Sequence, residues 1–121
     1  MTKPQAIFGN LDTLLSNMVP DEVPAGDISG DPKMHFAELI GRKDLKVGVW
    51  SCTPCKWMID FHEENEVMLL LSGRLRITDS NGNVTELAKG DVFFIPRGWS
   101  GQWETVETME KLYVIIDWEK S

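Results

Sequence analysis

Arg74-Leu75-Arg76-Ile77-Thr78-Asp79-Ser80-Asn81-Gly82-Asn83-Val84-Thr85-Glu86-Leu87 is the stretch on which the fold turns. Arg74 to Thr78 alternates polar and apolar residues, the period of a strand with one buried face, and Val84 to Leu87 supplies a second short run of strand-forming residues. Between them Asn81-Gly82 suits a tight hairpin, because both residues tolerate positive φ. Working outward, comparable runs lie at Val47 to Cys52, Lys56 to Phe61, Glu66 to Leu71, Val92 to Ile95, Ser100 to Val106 and Lys111 to Ile116, each closed by glycine, proline or asparagine or by a polar break. His35 to Ile40 adds an edge strand. No long helix interrupts the series, so the strands are expected to be antiparallel. Short strands at this spacing predict a closed β-barrel or jelly roll, which leaves few edges open to aggregation. Its interior is expected to hold Val49, Leu75, Ile77, Ile95, Val114 or their immediate neighbours, since an error of one residue reverses a strand.

Residues 1–44 are less regular. Pro20, Pro24, Gly26, Gly30 and Pro32 break any long element, and Leu11, Leu14, Leu15 and Met18 recur at helical spacing after Asn10, a candidate cap. This segment reads as an arm of the same domain, with a short helix and an edge strand, and residues 45–121 as the barrel. At 121 residues the chain has room for one core. Its formal net charge of -7 repels phosphate backbones and anionic lipid, so neither nucleic acid nor membrane is an expected partner. Met1 to Gln5 shows no apolar leader, and no apolar run is long enough to span a bilayer, so the expected location is the cytoplasm.

Two segments resemble the paired motifs of the cupin superfamily. The first is carried by Asp60, His62, Glu66 and Gly73, at positions where cupins usually place two histidines, a glutamate and a glycine. The second is carried by Gly90, Pro96 and Gly98, with Gly101 where cupins usually place a further histidine. The surrounding words, Trp50 to Trp57, Glu64 to Val67 and Gly101 to Glu104, resemble the small cupins that include ureidoglycine aminohydrolase-like and ethanolamine-utilisation Q-like domains. The resemblance spans about residues 45 to 116 and implies an all-β, cupin-type antiparallel β-barrel with an irregular N-terminal arm. It says less about chemistry, because one fold hosts many functions.

What it implies about a site is as follows. Asp60, His62 and Glu66 share even parity and face one side if the strand period survives the turn at Glu63 to Asn65, with Trp57, Ile59 and Phe61 on the other. In a cupin that side is the interior, where Asp60, His62 and Glu66 would be candidate ligands for manganese, iron, zinc or nickel. The alternative is a solvated acidic turn. Gly101 offers no ligand, and Gln102 replaces it only across a bulge, so no tightly bound cofactor is expected. The implied function is small-molecule binding in a pocket that includes Asp60, Gln102, Trp57 and Trp103, with His62 and Glu66 the candidate acid or base if desolvation moves their pKa values toward neutral. The alternative is a metal-dependent hydrolase or isomerase acting on a small amine, ureide or sugar-like acid. Related cupins imply a homodimer. Cys52-Thr53-Pro54-Cys55 has redox spacing but no helix terminus to stabilise a thiolate, and with His35 and His62 it matches no zinc-finger spacing, so both cysteines read as structural.

Overall fold

The computed structural model describes residues 3–118, and apart from one short helix its regular elements are strands. Helix α1 is Leu11–Ser16. Asn10 caps it, its side-chain oxygen accepting from the Thr13 backbone N–H at 3.1 Å. The strands are β1 Val19–Pro20, β2 Ile28–Gly30, β3 Met34–Gly41, β4 Leu45–Cys52, β5 Cys55–Ile59, β6 Asn65–Asp79, β7 Val84–Ala88, β8 Val92–Ile95 and β9 Gly101–Ile116. Every pairing is antiparallel.

Two long strands organise the whole. β6 and β9 pair from Asn65↔Ile116 to Asp79↔Gly101, and each carries different neighbours along its two halves. Along one half, β4 and then β3 extend the sheet from β9, and β8 extends it from β6. Along the other, β5 and β2 flank β9 while β7 flanks β6. The halves meet where β6 slips register between Leu70 and Leu75. Gly73 sits in this bend at φ +84°, and a Cβ there would collide with the Thr108 carbonyl and Met109, so only glycine lets β6 cross β9 so closely. These slips also reverse the parity of β6: Glu66, Met68 and Leu70 face in on even numbers, Leu75 on an odd one. One strand therefore looks like two in sequence, as does β9.

The curled sheet closes a single core from both halves, including Met34, Cys52, Cys55, Met68, Leu70, Leu75, Ile95, Trp103 and Met109. This is the all-β antiparallel barrel that the sequence led us to expect. Leu75 and Ile95 are buried in it and Ile77 packs against it, as expected. Val114 is displaced from the interior by one residue in favour of its neighbour Tyr113. Val49 is fully buried but stands outside this core, on the face opposite Trp50 and Cys52, on strand β4 against which α1 packs. The arm is more than a tail: β1, β2 and β3 all pair into the sheet. At the hairpin only Gly82 takes positive φ (+84°), while Asp79 Oδ1 accepts from the backbone N–H groups of Asn81 and Asn83 at 2.9 Å each. The turn is thus longer than the two-residue form expected from Asn81-Gly82. Among the described residues no helix is long and apolar enough to cross a membrane.

Candidate functional site

Residues of β3, β4, β5, β6 and β9, with His62 and Glu64 of the turn after β5 and Asp21, Glu22 and Pro24 of the arm, line a cavity of about 400 Å³. That volume suits a small organic molecule. Its deepest polar feature is an ion pair: Lys111 Nζ lies 2.8 Å from Glu66 Oε2, with side-chain exposures of 9% and 8%. The same ammonium sits 4.5 Å from the centre of the Trp50 ring and 5.1 Å from that of Trp103, and 3.2 Å from Met68 Sδ. Carboxylate, aromatic faces and thioether therefore replace water around it.

Strand register explains the pairing. β9 turns Lys111 and Tyr113 inward on odd numbers, while β6 turns Glu66, Met68 and Leu70 inward on even ones. Burial pushes the Glu66 carboxyl up more than any other single influence, but the Lys111 charge and hydrogen bond together with His62 outweigh it and hold the group at about 2. His62 Nε2 approaches Glu66 Oε1 to 3.3 Å outside hydrogen-bonding geometry, and has no hydrogen-bond partner among the described residues. Tyr113 is pushed up to about 12, first by burial and then by Glu38, Glu66, Asp21 and Glu64.

Of the side chains expected in the pocket, the structure brings together His62, Glu66, Trp57 and Trp103. Asp60 and Gln102 lie outside it. β5 ends at Ile59, so strand parity does not carry through the turn, and Trp57 and Ile59 line the cavity while Asp60 is exposed. Gln102 alternates with buried Trp103 and pairs with Met58, which is 45% exposed, on the outer face. Nor does desolvation carry Glu66 toward neutral, because Lys111 compensates its charge. A carboxyl held at about 2 is a weak general base. Sequence reasoning missed Lys111, Tyr113, Phe36, Asp21 and Glu38. A lysine flanked at period two by Met109 and Tyr113 was the available signal for Lys111.

The cupin resemblance raises a metal ion, and the residues present do not fit one. Glu66 is engaged by Lys111, Asp60 is outside the cavity, and no group of three or more His, Cys, Asp or Glu among the described residues is placed to hold an ion. Position 101 is also closed to a replacement ligand. A Cβ on Gly101 would lie 2.5 Å from the Thr78 carbonyl oxygen and from two ring carbons of Trp99. The Trp99 indole fills the space that a histidine there would need.

Cys52 closes β4 and Cys55 opens β5, and both are buried in the core with their Sγ atoms 3.8 Å apart as free thiols. Burial pushes the Cys52 thiol up to about 12, far from the thiolate that redox chemistry requires.

Residues 42–113 match the family model described as an EutQ-like cupin domain. No curated protein matches the sequence. Among solved structures, a protein of unknown function from Pseudomonas syringae pv. tomato is similar at TM-score 0.76 and 26% identity, over 81% of this chain and 43% of that protein. This chain thus spans less than half of that protein's length. The EutQ protein of Clostridium difficile is similar at TM-score 0.56 and 20% identity, over 72% of this chain and 71% of its own. The polyketide cyclase RemF of Streptomyces resistomycificus reaches TM-score 0.65 at 18% identity, over 96% of this chain and 80% of its own. At these identities the last two show the shared fold.

Proposed function

This chain belongs to the family of EutQ-like cupin domains, and we propose that it binds a small molecule in the barrel cavity without a metal ion. The observation that carries this reading is the Lys111 ammonium seated on Glu66, the residue that a metal site would need as a ligand. A lysine charge built into the strand compensates the buried carboxylate permanently. The aromatic walls then supply apolar contact, and polar groups nearer the mouth supply selectivity.

The test is a fragment panel screened by thermal shift on protein treated with a chelator, with and without added manganese or zinc. Metal-independent binders are expected to raise stability by about 3 kcal/mol at a hundredfold excess over Kd, and to lose that effect in Trp57→Ala. If fragments stabilise the protein only after a divalent ion is added, the metal-dependent hydrolase or isomerase replaces this reading.

Two buried free thiols support a reducing, cytoplasmic setting. For a homodimer the support is the outer sheet face, where Val67, Val92 and Phe94 are 37%, 67% and 46% exposed. Light scattering tests this, with Phe94→Asp expected to give monomer and a monomeric wild type counting against it.

A further inference from the structure

We infer that the cavity takes a small organic cation, an ammonium compound with apolar substituents, an inference that rests on the binding role proposed above. Five carboxylates line the cavity, Asp21, Glu22, Glu38, Glu64 and Glu66, against two ammonium groups, Lys46 and Lys111. Both ammoniums are already answered. Lys111 is bound to Glu66 at 2.8 Å, and Lys46 stands 3.9 Å from Glu64. Asp21, Glu22 and Glu38 face no cation among the described residues. Among the described residues Asp21 accepts only from neutral donors, Trp50 Nε1 at 3.1 Å and the Glu22 backbone N–H at 2.9 Å.

The imbalance is arranged by depth. The compensated pair lies deep, whereas Glu22 and Glu38 are exposed and Asp21 half-buried, so the excess negative charge lies on the solvent side of the cavity. A carboxylate ligand would enter past that charge and find no unpaired cation inside. An ammonium ligand would meet three unanswered carboxylates and then the aromatic faces of Phe36, Trp57 and Tyr113. The molecule already shows that its aromatic lining holds such a group, since Lys111 rests on Trp50 and Trp103. The upward push on Tyr113 from Glu38, Glu66, Asp21 and Glu64, after burial, reports the same negative field at the wall.

Three probes of nearly equal shape separate charge from size: choline, its uncharged isostere with a tert-butyl group in place of trimethylammonium, and the tert-butylacetate anion. Each is titrated into the full-length protein at low ionic strength, read by tryptophan fluorescence and calorimetry. Choline is expected to saturate, the neutral isostere to bind roughly tenfold or more weakly, and the anion to show no saturable signal. Added salt weakens choline binding. Asp21→Asn combined with Glu38→Gln is expected to weaken choline about tenfold while leaving the neutral isostere unchanged. If the neutral or anionic probe binds as tightly as choline, the cation class falls and the pocket stands. If none of the three binds, the cation class also falls, and the fragment panel decides separately whether the cavity binds anything.

Discussion

Replacing Lys111 with methionine keeps most of the side chain's apolar length and removes its charge, leaving the Glu66 carboxylate buried beside His62 alone. Breaking a buried ion pair from one side typically costs about 3–5 kcal/mol, because an uncompensated charge remains in an apolar setting. His62 stays beside it, 3.3 Å from the other carboxylate oxygen. For a domain of this size 3 kcal/mol corresponds to roughly 10–15 °C in Tm. The double variant Lys111→Met with Glu66→Leu removes both charges and should recover most of the loss, since apolar replacement of a whole buried pair is often neutral or stabilising. Urea and thermal unfolding of wild type, both single variants and the double variant give the coupling energy. A single-variant cost below about 1 kcal/mol, or a coupling energy near zero, would refute the placement of this pair in the interior.

Glu66 binds its proton more weakly in the folded chain than in the unfolded one, so its contribution is whole above about pH 4.3, the unfolded value, and is lost as pH falls toward 2. The wild type should therefore lose up to about 3 kcal/mol over that window, and Glu66→Gln should show a shallower acid limb in equilibrium unfolding. Gly101→His should not create a metal site but should lower stability by about 1–3 kcal/mol through overpacking against Trp99 and Thr78, checked by elemental analysis and urea titration. Gly48→Ala should behave similarly, because its Cβ would collide with the Ala37 carbonyl and lie 2.6 Å from the Tyr113 hydroxyl. Cys52 and Cys55 should resist alkylation near neutral pH in the native protein and react on unfolding; rapid native labelling of either would show that the thiols are not buried as described.

Much of the architecture was legible because its signals are local. Asn10 and the leucine spacing after it mark α1, β8 falls on Val92 to Ile95 as expected, and the two cupin-like motifs enclose β6 residues and β8, which pair with each other. Trp57, Trp103, His62 and Glu66 were legible as pocket residues through the same resemblance. Parity was not. Whether odd or even residues face inward depends on where a strand ends or slips, and β5 stops one residue before Asp60 while β6 changes face between Leu70 and Leu75. The turn after β5 left Asp60 exposed, and Gln102 stays outside because β9 runs opposite β5 with no bulge to turn it inward. Lys111 and Glu66 stand 45 residues apart in the chain, so no local pattern could join them. Their contact follows from the long pairing of β6 with β9, and the acidic solvent side of the cavity follows from the arm folding back onto the barrel. Periodicity and turn chemistry act over a few residues and are written in the order of the chain, whereas the charge balance of a cavity is a sum over strands that only folding brings together.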